Sequence, residues 1–383
     1  MPTININQEG YECRLLVIQS ILDSHGLQST SVTPVEYLGT CPFPYNNSVH
    51  KVELAQPATA SAFAKGTQRP GSSPLPQSGV STTIIRLSNP HAGDLNNANR
   101  VENEVAAQLL FRQILSDSHP GLVHLVPAIY AWEPCRYPEV HDEMGFAWTI
   151  CEFKTGANLD EQFMGLELPE KLDKTPLPRQ LEDHLGGLKF DRNGQIVGGQ
   201  MPILPAGPWQ RYEDLWASRF EYQLLLADAS FALKGWKAGN IRGRIDKFFS
   251  PDRIRKLLEV VDTSQRTIVH GDLIMNNMLF DKDSKRLTAL LDFDFASITH
   301  PVHEFFTGLW HQAILSSNFG EVDNTLSSEY KAKWEVAKAW NSALATRGII
   351  RPSSIQGIEK LEKLNDLEQA LCPFQLSNEV NTE

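Results

Sequence analysis

The sequence predicts an α+β protein in two parts, a β-rich first half and a mainly helical second half. Three observations carry this. Before residue 153, short runs alternate apolar and polar side chains, the period of half-buried strands. After Gly156 the apolar residues recur every three or four positions, as on helices. Late in the chain, two short apolar runs frame His270, Asp272, Asn277 and Asp292. A length of 383 residues suits two to three domain-sized units or one two-lobed enzyme. The expected division falls after residue 153, giving segments 1–153 and 154–383.

Residues 48–54 alternate Val49, Val52 and Leu54 with polar neighbours, and 82–87 are rich in Thr and Ile. Both read as strands. Between them, 56–80 hold Pro57, Pro70, Pro74 and Pro76, Gly66, Gly71 and Gly79, and many Ser, Ala and Thr. Such a stretch buries little, so it reads as a flexible insert joining two strands of one sheet. Val101, Val105, Leu109 and the run 111–114 keep helical spacing behind a capping Asn97 or Asn99. Residues 123–132 and 146–153 are further strands. Thus the first half is strands plus one strong helix. Helices are expected at 212–233, 251–261, 302–315, 328–347 and 354–371. A small hairpin at 188–197 turns on Asn193-Gly194. Short strands at 267–269 and 287–291 flank the polar residues.

Composition removes several functions. The 35 Lys and Arg stand against 46 Asp and Glu, a net charge of −11. That balance disfavours phosphate backbones and anionic lipid, so neither nucleic acid nor membrane is an expected partner. Five scattered cysteines without a CxxC pattern speak against a disulfide framework or zinc ribbon and for a reducing compartment. No apolar run approaches the ~20 residues of a membrane span, and the first ten residues lack a secretory pattern. The expected location is cytoplasmic. Nothing in the sequence sets an oligomeric state.

The chemistry lies in 267–306. A short strand delivers His270-Gly271-Asp272, Asn277 follows five residues after Asp272, and a second strand ends at Asp292. Asp292 and the Asn277 amide oxygen are hard ligands suited to Mg²⁺. Asp272 stands beside them to accept a hydroxyl proton and orient the nucleophile. This is a phosphoryl-transfer layout, in which positioning and charge neutralisation do most of the catalysis. Asp294 has two readings, a second carboxylate near the metal or a solvent-facing or capping residue. His270 is expected to brace the loop backbone and not to act as a base. His300, His303, Glu304 and His311 fit no zinc template; His300-Pro301 reads as a helix start.

The stretch HGDL, then Asn277, then LLDFDFA resembles the aminoglycoside phosphotransferase and choline-kinase-like branch of the protein-kinase fold, and the phrasing elsewhere in the chain resembles its fungal-type members. The resemblance spans the whole chain. It implies a bilobal protein-kinase-like fold that uses ATP and Mg²⁺. Gly271 replaces the Arg of the protein-kinase HRD, Asp292-Phe293-Asp294 replaces DFG, and no A-P-E follows. Those departures point to a small-molecule acceptor.

The resemblance also implies a strand cation for the nucleotide phosphates and a helix glutamate to hold it. Glu104 is the glutamate, though Glu102 and Glu104 also fit a solvated helix face. Arg86 is the cation, with Lys51 as its rival, and Arg for Lys is not conservative at a phosphate site. No GxGxxG exists. Residues 39–48, with Pro42 and Pro44, occupy its place, so phosphate contacts would come from 45–48, with Asn47 and Ser48 as candidates. Glu152 and Phe153, before Gly156, look like the hinge that offers backbone groups to adenine. The site set is therefore Asp272, Asn277 and Asp292 for catalysis; Asn277, Asp292 and Asp294 for metal; Arg86, Glu104, Asn47, Ser48, Glu152 and Phe153 for nucleotide.

The function read from this set is ATP-dependent phosphoryl transfer to a small-molecule hydroxyl or amine. Two others are carried beside it. One is an ATP-dependent ligase that condenses an acyl phosphate with a second substrate. The other is a non-catalytic pseudokinase-type binding protein, suggested by the missing glycine loop and the Arg at the Lys position.

Overall fold

A computed structural model describes residues 10–35, 45–63, 69–89, 92, 95–135, 145–159, 177–178, 181–230, 240–307, 338 and 341–371. In chain order the elements begin with α1 (Tyr11–Ser24), β1 (Ser29–Pro34), β2 (Asn47–Ala58), α2 (Ala60–Phe63), β3 (Val80–Ser88) and α3 (Arg100–Ser118). Then come β4 (Ile129–Glu133), β5 (Trp148–Glu152), β6 (Ala157–Asn158), β7 (Gly187–Phe190), β8 (Ile196–Gly199), α4 (Tyr212–Ala229), α5 (Ile241–Phe248) and α6 (Pro251–Leu258). Last are β9 (Thr267–Val269), β10 (Met278–Asp281), β11 (Arg286–Leu290), β12 (Ser297–Thr299), α7 (His303–Thr307) and α8 (Ile358–Leu371).

The chain forms two compact units. The first takes in Met1–Met164, Gly187–Pro205 and Met275–Ala296; the second takes in Gly165–Gly186, Ala206–Ile274 and Ser297–Glu383. The first unit therefore gathers the β7–β8 hairpin and the β10–β11 hairpin beyond the early strands, although both follow residue 153. Among the described residues the expected α+β pattern is present, strands prevailing in the first unit and helices in the second.

The main sheet of the first unit is antiparallel, in the order β1-β2-β3-β5-β4. Its two faces do different work. Ile85 and Leu87 of β3 and Val52 and Leu54 of β2 pack with Val17, Ile18, Ile21 and Leu22 of α1. Burying one such side chain stabilises by roughly 1.5–3 kcal/mol. Alternation turns Arg86 away from Ile85 and Leu87, and on the β4–β5 side Val101 and Val105 of α3 pack against Ile129, Trp132 and Ala147. Helix α1 and strand β1 add to the expected strands-plus-one-helix half. The 17/18 and 21/22 apolar pairs of α1 are ordinary helix periodicity.

The 56–80 stretch, expected to be flexible, is packed along part of its length. Its start extends β2 to Ala58 and forms α2. Farther on, Ser73 N–H donates to the Ile129 carbonyl at 2.6 Å. Trp132 Nε1 donates to the Pro70 carbonyl at 2.8 Å, and Arg69 forks onto Glu133 at 2.8 and 2.9 Å. Proline and glycine here shape a strap that finds partners on β4.

A second small sheet, β11-β10-β6, completes the first unit. Gly156 leads into β6 at φ 149°, where a Cβ would lie 2.6 Å from Thr288 Oγ1 and 3.1 Å from the Phe280 nitrogen. The β7–β8 hairpin turns at Gly194, φ 76°, as its Asn-Gly sequence suggests.

In the second unit, Tyr212, Leu215, Trp216 and Phe220 of α4 pack with Ile254 and Leu258 of α6, Phe305 and Phe306 of α7, and Ile358, Leu361 and Leu364 of α8. Strands β9 and β12 pair antiparallel beside them. Of the 302–315 helix, 302 is in a turn, 303–307 are helical and 308–315 lie outside the described residues, as does most of 328–347; 341–346 are helical.

Candidate active site

In the first unit, β3 presents Arg86 and α3 presents Glu104 on facing surfaces, and the loop after β11 brings Asp292 and Asp294. Arg86 divides its guanidinium among all three carboxylates. Nη1 donates to Glu104 Oε1. Nη2 donates to Asp292 Oδ1 at 2.8 Å and lies 2.9 Å from Asp294 Oδ1. Lys51, the rival cation, pairs with Glu53 at 2.9 Å and lies over the Phe153 ring at 5.2 Å. Arg86 is thus the cation that meets the helix glutamate. Glu102 points elsewhere, accepting the Phe190 N–H at 2.9 Å.

Behind Arg86 lies a second, fully buried guanidinium that the sequence did not mark out. Arg100 Nη2 contacts Asp294 Oδ2 at 3.1 Å and the Asn47 side-chain oxygen at 3.0 Å. It also reaches the Asn46 carbonyl at 2.6 Å, and Nη1 reaches the Asn89 carbonyl at 3.3 Å. Asn47 Nδ2 donates to Asp294 Oδ2 at 2.7 Å. The one available signal was spacing, since Arg100 stands four residues before Glu104 on the same helix face.

Charge sets the protonation. Three carboxylates meet two guanidiniums, one negative charge in excess. Burial, with Asp294 and Asp292 nearby and Arg86 opposing, pushes Glu104 up to about 8. Burial also raises Asp292 against the pull of Arg86, with Asp294 adding to the rise. Asp294 is held below the ordinary carboxylate range; burial works against its charge, but Arg86, Arg100 and the Asn47 amide outweigh it. Asp292 itself has φ 63°, a left-handed conformation costing roughly 1–2 kcal/mol for a residue with a Cβ.

Asn277 and Asp292 sit at neighbouring hairpin ends. Met278 pairs with Leu290, and the Leu291 N–H donates to the Asn277 carbonyl at 2.8 Å. An amide oxygen and a carboxylate fit a hard divalent cation such as Mg²⁺. Asp294 is different. It is fully buried, with one oxygen facing Arg86 and the other facing Arg100 and Asn47, so it serves the cluster as a brace. Its burial excludes the description of it as solvent-facing. The Asn47 side chain bridges Asp294 and Arg100.

Ser48 lies half-buried on β2 opposite Leu87. At the expected hinge, the Glu152 N–H already donates to the Ala128 carbonyl at 2.8 Å. The Glu152 carboxylate accepts the Ala128 N–H at 3.1 Å and pairs with Lys154 at 2.7 Å. Its backbone donor is therefore spent within the sheet, and Phe153 is the first residue past β5. Residues 36–44, most of the expected phosphate loop, lie outside the described residues.

Asp272 belongs to the second unit. Strand β9 ends at Val269 and the chain turns through Gly271 at φ 80°, a conformation glycine adopts without steric cost. Glu304 of α7 accepts the His270 N–H at 2.7 Å and the Gly271 N–H at 3.2 Å. His270 is buried, and its Nδ1 accepts the Asp272 N–H at 3.3 Å. The histidine braces the loop, as expected. Burial, with Asp272 adding to it, lifts Glu304 to about 7 against the two N–H donors. Glu304 thus anchors this turn.

Beneath α7, Tyr212 Oη meets His303 Nε2 at 2.8 Å, and Arg219 Nη1 lies 3.2 Å from His303 Nδ1. Arg219 also pairs with Glu368 of α8 at 2.7 Å. His300 opens the turn that leads into α7, its Nδ1 accepting the Val302 N–H at 3.2 Å. His303 is thus a structural link between helices, and His311 lies outside the described residues. Among the described residues no group of three or more His, Cys, Asp or Glu is arranged to hold a metal ion.

Several solved structures are similar. Ethanolamine kinase from Plasmodium vivax is 14% identical, with 95% of this chain and 80% of that chain covered, at a TM-score of 0.42. An aminoglycoside phosphotransferase from Streptomyces rimosus is 11% identical, with 93% and 98% covered, at 0.40. Choline kinase from Cryptosporidium parvum is 12% identical, with 96% and 90% covered, at 0.35. No curated protein sequence matches the chain. The model of the phosphotransferase enzyme family matches residues 78–340, more than half of the chain, from the strand of Arg86 through the loops of Asp272 and Asp292. That match favours neither the condensing enzyme nor the non-catalytic binding protein. Matched over that span, the chain belongs to the phosphotransferase enzyme family.

Proposed function

We propose that the protein transfers the γ-phosphoryl group of ATP, with Mg²⁺, to a hydroxyl or amine of a small molecule in the cytoplasm. The observation that carries this reading is Arg86, held between Glu104 of α3 and Asp292 of the loop after β11. In it, segment 1–153 binds nucleotide and 154–383 supplies the acceptor side and the catalytic loops. Arg86 grips phosphate oxygens and Glu104 fixes its fork. Ser48 and the backbone of 45–48 border the phosphates, with Asn47 acting through Asp294. Glu152 and Phe153 flank the adenine edge, where the backbone beyond β5 offers the contacts. Asn277 and Asp292 hold the ion, which when bound neutralises charge on the phosphate oxygens.

Asp272 orients the acceptor. Its carboxylate takes the acceptor's proton as the new bond to phosphorus forms and the bond to ADP breaks. Among the described residues no helix is long and apolar enough to cross a membrane.

The test uses purified protein with ATP, Mg²⁺ and a panel of hydroxylated and amino metabolites, read as phosphorylated product. On a true substrate, Asp272→Ala should lose on the order of 10²–10⁴ in turnover. Turnover equal to the unmodified protein would remove Asp272 from its role.

A further inference from the structure

We propose that Arg100 is a positioning residue for the phosphate-binding cation, acting through Asp294 on Arg86. The inference rests on the reading of Arg86 as the group that grips phosphate. It concerns a different residue, one that need not touch nucleotide.

Arg86 leaves a β-strand on a long, flexible stem, and its fork must be aimed. Glu104 fixes one arm through Nη1. The other arm, Nη2, sits between Asp292 and Asp294. Asp292 is 28% exposed at its side chain, and the proposed function gives it to the metal. A carboxylate shared with an ion is a poor fixed post for an arginine. Asp294 is the post that stays, because it is fully buried and its second oxygen is tied to Arg100 and Asn47.

Arg100 in turn is anchored on both sides. It is fully buried at the first turn of α3 and reaches the Asn46 and Asn89 carbonyls, just before β2 and just after β3. One guanidinium thus ties the helix that carries Glu104, the strand that carries Arg86 and the loop that carries Asp292. A lysine would give one point charge where the contacts need a planar fork. Asn103, on the same turn, reinforces the register: its Nδ2 donates to the Ala296 carbonyl at 2.9 Å and its Oδ1 accepts the Leu188 N–H at 2.6 Å.

The experiment is a double-mutant cycle read by calorimetric titration of ATP with Mg²⁺, with thermal unfolding as the control for folding. Arg100→Met combined with Asp294→Asn removes both charges of the buried pair, so no lone charge is left in the core. This double variant should bind ATP on the order of tenfold more weakly than the unmodified protein, a loss typical of one charge-assisted contact. In an Arg86→Met background the same pair of changes should cost nothing further, because Arg100 acts through Arg86. Asn47→Ala, which removes one contact to Asp294, should fold and weaken ATP binding in the same direction by a smaller factor, giving a second route should the double variant not fold.

Equal losses with and without Arg86 would mean a merely structural role and overturn the inference. Unchanged ATP binding in the folded double variant, or in Asn47→Ala, would overturn it as well. If Arg86→Met alone leaves ATP binding unchanged, the reading of Arg86 itself fails, a result distinct from either.

Discussion

The two units hold their polar side chains in opposite ways. In the first unit the Arg86 cluster is charge against charge, with two guanidiniums, three carboxylates and the Asn47 amide joined side chain to side chain. In the second, Asp272 rides on a turn held by backbone N–H groups that converge on the Glu304 carboxylate. The first arrangement depends on a charge balance that a ligand can change. The second depends on hydrogen-bond direction. Under the proposed function, a cation that meets phosphate needs adjustable charge around it, and a carboxylate that takes a proton needs a fixed backbone beneath it.

The comparison is broken most forcefully inside the second unit. Arg219→Met leaves Glu368, 5% exposed, without its guanidinium. Stability should fall by roughly 3–5 kcal/mol, as for a broken buried pair, measured by urea unfolding. Replacing Arg219 and Glu368 together with methionines should recover most of that loss. If it does not, His303, which also contacts Arg219, carries more of the network than the ion pair does.

A smaller effect is expected at Gly156, where β6 meets the β10–β11 hairpin. Gly156→Ala forces a Cβ against Thr288 and the β10 backbone at an unfavourable φ. It should cost roughly 1–3 kcal/mol, as overpacking does, read as a lower thermal midpoint. An unchanged midpoint would mean that the hairpin can shift away from β6.

The subtlest difference lies in pH dependence. Glu104 rises from 4.5 to about 8 in the fold. Its contribution to stability is therefore complete below 4.5 and is lost as pH rises through 8. His300 moves the other way, from 6.5 to about 4, because burial disfavours its charge. Its contribution is present above 6.5 and is lost as pH falls through 4. Glu104→Gln should flatten the alkaline side of a plot of thermal midpoint against pH. His300→Asn, which keeps an acceptor for the Val302 N–H, should flatten the acid side. If either variant shifts the whole curve without changing its slope, that residue does not titrate in the range.

Much of this was legible in the chain. Strand alternation and helix spacing put Arg86 and Glu104 on elements able to face each other, and a hairpin between Asn277 and Asp292 follows from two short apolar runs and a polar turn. The braces were not legible. Arg100 reads as an exposed first-turn arginine until the carbonyls of Asn46 and Asn89, far apart in sequence, are seen to converge on it. Asp294 could be a ligand or a cap on paper, and its partners Asn47 and Arg100 lie some 200 residues away. The strap at 69–79 failed for a related reason. Its composition denies it helix or strand, but composition does not report docking through Pro70 and Ser73 backbone groups.

The left-handed backbone at Asp292 has a practical reach. Aspartate and asparagine are among the few residues with a Cβ that tolerate that region. Asp292→Asn therefore changes charge and leaves the turn intact, whereas an alanine there would confound lost chemistry with a distorted loop. Under the proposed function, the amide variant would engage the acceptor without consuming it, which suits it to capturing that acceptor from a cell extract.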